Sequence, residues 1–289
     1  MANTTSKKRR RRKKNRRTLS PAVILLLFLA VLMALLFLLF RVLLKQDAPA
    51  PESVEAAPIV TETLPPSQLL QECFGEENGY KTYVSGDLTA ELGVDVSSHQ
   101  GYIDWQAVAD SGVDFAIIRA GFRGYGDGST NVDESFQYNL DGALAAGLDV
   151  GVYFFSQALT EEEAVAEAAQ VISLVNGYDL SYPIYFDWEP IDGDDARTAT
   201  ISGTEVTSCA LAFCRTIESA GYQAGIYFNL SNAITLFHLY DLKDYNFWLA
   251  EYQDTPSYPF AIQMWQYTNS GTVPGISEQV DLNLRFRPN

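Results

Sequence analysis

Cysteine, histidine and, past residue 46, positive charge are scarce in this sequence, and each scarcity removes a class of function. There are three cysteines, Cys73, Cys209 and Cys214, and two histidines, His99 and His238. Three cysteines make no disulfide framework. Cys209 and Cys214 lie five apart on an expected helix, so they point about 140° apart and cannot bridge. Cys214 falls on that helix's apolar face and reads as a packed thiol. An exported chain without disulfides fits a Gram-positive bacterial surface better than an animal secretory route. Neither histidine has the neighbours of a Ser-His-Asp or Cys-His arrangement. No zinc spacing, phosphate-binding glycine loop or EF-hand spacing is present, so neither a metal nor a cofactor is expected.

Charge is divided along the chain. Residues 1–20 carry ten Lys and Arg and no acid. From 47 to 289, eight basic residues face all 36 acids, a balance of −28. So acidic a domain is a poor partner for nucleic acid.

Nineteen apolar residues run unbroken from Ala22 to Phe40. As a helix they span about 28 Å, close to a bilayer core. We expect a transmembrane helix over 21–44, following a basic cytoplasmic tail over 1–20. The basic residues before it put the N-terminus inside and the acidic domain outside. The alternative is a signal cut near Ala48 or Ala50. Pro49, Pro51, Pro58, Pro65 and Pro66, among Ala, Glu, Thr and Ser, read as an extended spacer. Residues 69–90 form a lead-in with no assigned element; the expected domains are therefore 1–20, 21–44, a spacer and lead-in over 45–90, and the main domain over 91–289.

From Leu92 the chain alternates strands and helices. Gly112, Gly147 and Gly221 each end a helix just before an apolar run. Asp104 is placed to cap 105–111, and Thr160 with Glu163 to form a capping box for 161–175. Helical spacing recurs over 204–220. Strands are expected at 92–96, 115–120, 150–155, 183–188, 224–228, 245–251, 260–267 and 280–284. The last gaps are too short for helical crossovers. The expected fold is α/β: a β/α barrel of about eight strands, five β/α units and then plain strands, with an incomplete helical ring. An open doubly wound sheet is the alternative; in both, sites lie at the carboxyl ends of strands.

The most informative segment is Tyr-Pro-Ile-Tyr-Phe-Asp-Trp-Glu-Pro, 182–190. Asp187 and Glu189, at i and i+2, share a strand face with Tyr185. Two acids at the mouth of an apolar strand are costly to bury, and acid-catalysed glycosidic cleavage is the chemistry that uses such a pair. Asp95 lies near the end of the first strand and Asp281 on the last. If the barrel closes, the four acids meet, and like charges in a partly apolar pocket raise at least one pKa. Taken singly, Asp95 and Asp281 also suit loop caps, and Asp192, Asp194 and Asp195 suit a solvated loop. Aromatics expected around the mouth are Tyr153, Phe155, Tyr185, Tyr227, Trp248, Tyr252, Trp265 and Tyr267; their plainer reading is barrel core.

Four pieces in order resemble glycoside hydrolase family 25, the N-acetylmuramidase lysozymes. They are Gly-Val-Asp-Val-Ser-Ser-His-Gln-Gly at 93–101, Phe-Ala-Ile-Ile-Arg-Ala-Gly at 115–121, Tyr-Phe-Asp-Trp-Glu at 185–189, and Met-Trp-Gln-Tyr at 264–267 with Val-Asp-Leu-Asn at 280–283. The resemblance implies a β/α barrel that cleaves the β-1,4 bond between N-acetylmuramic acid and N-acetylglucosamine in peptidoglycan. It implies Glu189 as proton donor, Asp187 as stabiliser of positive charge or orienter of the substrate acetamido group, and Asp95 and Asp281 lining the pocket. The expected substrate-binding residues are Tyr153, Tyr185, Tyr227, Tyr252, Trp265 and Gln266. Rival readings are a chitinase- or endo-N-acetylglucosaminidase-like hydrolase, whose longer acidic strand motif is absent, and a non-catalytic wall-binding module. The expected partners are peptidoglycan strands and, through 21–44, a lipid bilayer at the cell membrane.

Overall fold

The structure is a computed structural model. It describes residues 63–191 and 196–289, with Leu32, Met33 and Leu35 as further helical positions. The expected basic tail, nearly all of the expected membrane helix, most of the spacer, and Asp192, Asp194 and Asp195 lie outside the described residues. Among the described residues no helix is long and apolar enough to cross a membrane.

Everything described from residue 63 onward belongs to one compact unit, Thr61–Asn289. Its elements are β1 (Phe74–Glu77), β2 (Tyr80–Tyr83), β3 (Leu88–Val96), α1 (Trp105–Asp110), β4 (Phe115–Arg123), β5 (Thr130–Val132), α2 (Phe136–Ala145), β6 (Asp149–Ser156), α3 (Glu161–Leu174), β7 (Ile184–Trp188), α4 (Gly203–Ser219), β8 (Ala224–Asn229), α5 (Leu230–Thr235), β9 (Asn246–Ala250), β10 (Met264–Gly271) and β11 (Val280–Pro288). The barrel order is β3-β11-β10-β9-β8-β7-β6-β4, closed by a β3–β4 pairing. The eight expected strands are these eight. β5 adds an antiparallel flap to β4.

Seven barrel strands run parallel and β11 runs against both its neighbours. The reason is the connection: only a short loop separates β10 from β11, which permits a hairpin but no crossover. The start of β11 therefore lies beside the end of β3, with Asp281 opposite Asp95 in the register.

Helix boundaries follow local chemistry. Asp104 Oδ1 accepts the Ala107 N–H at 3.2 Å at the start of α1. Gly112, Gly147 and Gly221 adopt φ of 94°, 84° and 91°, the left-handed geometry that ends α1, α2 and α4. Thr160 Oγ1 caps α3 by accepting the Glu163 N–H at 3.3 Å. The expected reciprocal half of that box is not made. The Glu163 carboxylate binds the Leu159 N–H and Arg197 instead, because a guanidinium is the stronger partner. A full capping box does form between Ser202 and Glu205 on α4.

Two apolar layers result. Outward strand residues such as Phe186, Trp188 and Ile226 join helix residues such as Phe213 in one cluster. Inward residues Phe115, Ile117, Tyr182, Tyr185, Tyr227, Trp248 and Met264 fill the barrel in another. Strand glycines make room for the inner rings. A Cβ on Gly93 would meet the Phe115 ring at 2.2 Å, and one on Gly225 would meet Tyr185 at 2.4 Å.

The lead-in is structured. β1 and β2 form a hairpin turning at Asn78-Gly79, both with positive φ. Phe74 packs edge-on to Trp265, with ring centroids 5.4 Å apart. The expected domain start at 91 falls inside β3, and the hairpin packs on the barrel because it covers apolar rings that the outer face would otherwise expose.

Candidate active site

A cavity of about 250 Å³ opens at the carboxyl ends of the parallel strands. Asp95 reaches it from β3, Asp187 from β7, Glu189 from just past β7, and Asp281 from the start of β11. Tyr153, Tyr227, Tyr252 and Gln266 line it, as do Phe155, Trp248 and Asn269. All four expected acids and four of the six expected substrate-binding residues thus share one space.

Tyr185 and Trp265 do not. Tyr185 is buried one layer below the mouth, edge-on to Trp248 at 5.1 Å and filling the space above Gly225. It shares a face with Asp187, as expected, but two residues along a strand is a rise of about 7 Å. Trp265 is buried on the outer face, where its indole N–H donates to the Glu251 carbonyl at 2.8 Å. Adjacent strand residues face opposite sides, so Trp265 and Tyr267 point outward when Gln266 points in. Tyr267 accordingly packs on Trp265 rather than at the mouth.

Asp95 is held by two amides. Asn283 Nδ2 donates to its Oδ2 at 2.7 Å and Gln266 Nε2 at 2.9 Å. Gln266 is itself oriented, because its Oε1 accepts the Tyr252 hydroxyl at 2.9 Å and the Tyr227 hydroxyl at 3.2 Å. Asn283 accepts the Trp248 indole N–H at 2.8 Å through Oδ1. Among the described residues, the Glu189 carboxylate receives only Asn229 Nδ2, at 3.4 Å, and Asp187 Oδ1 has no hydrogen-bond partner. The Asp187 and Glu189 carboxyls are thus less satisfied than Asp95, which leaves them acceptor capacity for a ligand.

Every acid of the cluster is pushed toward its neutral form. Burial is the main cause at Asp95, followed by the Asp281 charge, with the Asn283 and Gln266 bonds pulling the other way. At Asp187 burial leads, then Glu189 and Asp95, and the Arg119 guanidinium opposes. Glu189 is raised by burial against its Asn229 bond. Asp281 is raised to about 6, again chiefly by burial. Carboxyls gathered this way compete for protons, so ionising one disfavours ionising its neighbours.

Sequence reasoning missed Arg119, Asn229, and the roles of Asn283 and Gln266 as holders of Asp95. Arg119 had a signal: it is the one charged residue in the run Phe-Ala-Ile-Ile-Arg-Ala-Gly. It binds Asp133 at 2.7 Å, and its guanidinium opposes the rise at Asp187. A larger cleft of about 640 Å³, between Arg119 and the β4–β5 flap, adjoins the acid cavity through shared Phe155. It carries none of the four acids, so the convergence of carboxylates, rather than size, locates the chemistry.

The comparisons agree with this geometry. The chain is 29% identical over 196 residues to the autolytic lysozyme of Clostridium acetobutylicum, covering 66% of this chain and 54% of that protein. Its fold matches the modular autolysin LytC of Streptococcus pneumoniae with a TM-score of 0.63 and 28% identity, over 74% of this chain and 52% of that one. It matches the lysozyme of Streptomyces coelicolor with a TM-score of 0.57 and 28% identity, over 68% of this chain and 91% of that one. The chain therefore spans about half the length of the first two. Residues 94–276 match the family model described as glycosyl hydrolases family 25, a span that holds Asp95, Asp187 and Glu189. With more than half of the chain matched, the protein belongs to glycosyl hydrolases family 25.

Proposed function

We propose that this chain is a muramidase, hydrolysing the β-1,4 bond between N-acetylmuramic acid and N-acetylglucosamine in peptidoglycan. The observation that carries the reading is the meeting of Asp95, Asp187, Glu189 and Asp281 in one cavity that is open to solvent and lined by aromatic rings. The lysozymes and autolysin above support it, and LytC has been solved with a synthetic peptidoglycan ligand.

In this reading Glu189 gives its proton to the leaving oxygen. Its raised pKa keeps that proton in place until transfer. As positive charge grows on the sugar ring, it favours the ionised form of Asp187. The unpartnered Asp187 oxygen is free to accept an acetamido N–H, which suits assistance by the substrate's own amide. Asp95 and Asp281 hold the field of the pocket, and the tyrosines offer faces to sugar rings. In peptidoglycan zymography of the detergent-solubilised full chain, wild type clears the glycan and Glu189→Gln does not. Products of the wild type carry reducing muramic acid ends; reducing glucosamine ends, or clearing by the variant, would overturn the assignment.

The proposal extends to the N-terminus. Ten basic residues within 1–20 and the apolar run Ala22–Phe40 support a single membrane crossing over 21–44, with the hydrolase domain outside the cell. A tethered enzyme reaches only nearby glycan, which suits remodelling of the producer's own wall. The full chain should sediment with membranes and lose its domain to external protease, whereas removal of residues 1–45 should release it.

A further inference from the structure

Glu189 stands one residue beyond β7, where the strand ladder no longer fixes its backbone. Its peptide carbonyl is held from the end of the neighbouring strand instead: Gln157 Nε2 donates to it at 2.7 Å. Gln157 is fully buried, and both ends of its side-chain amide are engaged. The same amide nitrogen donates to the Ser156 carbonyl at 2.9 Å. Its Oε1 accepts the Thr198 hydroxyl at 3.1 Å. Its backbone carbonyl accepts Arg197 Nη1 at 2.7 Å, and Arg197 forks onto the Glu163 carboxylate at 2.6 and 3.0 Å. Two carbonyls on one side of the amide and a hydroxyl on the other fix which way it points.

This side chain does not line the acid cavity. It ties the end of β6, the peptide of Glu189 and residues 197–198 into one unit. We infer that Gln157 is a positioning residue: its amide fixes the Glu189 backbone and so sets where the Glu189 carboxyl delivers its proton. The inference rests on Glu189 as proton donor. It differs from ordinary core packing in that the held group is the peptide of the acid itself. A donor misplaced by about 1 Å loses on the order of 100-fold in rate, while contacts to the rest of a substrate persist.

The test compares wild type, Gln157→Glu, Thr198→Val and Glu189→Gln as detergent-solubilised full chains, with kcat and KM on soluble glycan fragments and circular-dichroism melts to count folded protein. Gln157→Glu keeps the shape but turns a donor toward an acceptor; Thr198→Val frees the amide to rotate. We expect kcat per folded molecule to fall about 10- to 100-fold in Gln157→Glu and several-fold in Thr198→Val, with KM within about twofold of wild type. Unchanged kcat in both, with only a lowered melting temperature, or a loss expressed in KM alone, would overturn the inference. Should Gln157→Glu fail to fold, Thr198→Val decides by the same criterion. Loss of activity in Glu189→Gln beside unchanged Gln157 and Thr198 variants sinks this inference alone; retained activity in Glu189→Gln sinks the proton-donor assignment beneath it.

Discussion

Asp281→Asn should make the protein more stable at pH 7.5, and the gain should vanish in acid. Asp281 has an ordinary value of 3.8 and a folded value of about 6. A carboxyl raised on folding holds its proton more tightly in the native state. Below about pH 4 both states are protonated and nothing is lost. Between about 4 and 6 the unfolded chain releases its proton first, so stability falls as pH rises. Above about 6 the whole difference is felt. At about 1.4 kcal/mol per pH unit it is about 3 kcal/mol, which residual solvent access lowers to about 2 kcal/mol. Asparagine fills the same space without the charge, and its absence also relieves Asp95, whose neutral bias comes partly from Asp281. For a domain of this size the shift in melting temperature is about 4–8 °C. Thermal melts of wild type and variant at pH 4.0, 5.5 and 7.5 measure it. A gain that is equal at all three values, or a loss at pH 7.5, would refute the argument that stability is given up to crowd acids at this mouth.

Two further substitutions test the corrected placement of Trp265 and the fit of an inner ring. Trp265→Ala removes a buried outer ring and should cost about 3–5 kcal/mol in chemical denaturation, while kcat and KM of the folded fraction stay at wild-type values; a selective rise in KM would return Trp265 to the substrate face. Gly93→Ala drives a methyl into the Phe115 ring and should destabilise by about 1–3 kcal/mol. Adding Phe115→Leu should recover part of that loss, and no recovery would mean that the clash is not the cause.

Much of this architecture was legible because each unit announces itself twice. A strand such as 115–120 shows as an apolar run, and the glycine before it marks the end of the preceding helix. The strand count pointed to a barrel, with an open sheet as the alternative, and closure alone brings Asp95 to Asp281. Tyr185 and Trp265 were misplaced for two reasons. Depth in a barrel depends on how neighbouring strands stagger, which no single strand records. Facing, in contrast, was written in the sequence: Gln266 and Trp265 are adjacent and cannot both point inward. The hairpin at 74–83 also had its signal, Asn78-Gly79 between alternating residues. The Gln157 unit had none, since its bonds join positions 32 and 41 residues apart, to the Glu189 carbonyl and the Thr198 hydroxyl.

The reversed direction of β11 has a practical corollary for anyone handling this protein. The final residue, Asn289, is bound to Asp87 and to Ser85 and Gly86, before the first barrel strand. It therefore leaves from the floor of the barrel, a strand's length from the acids. A label, surface linker or second binding module joined there would leave the cavity mouth clear for a polymer too bulky to thread through.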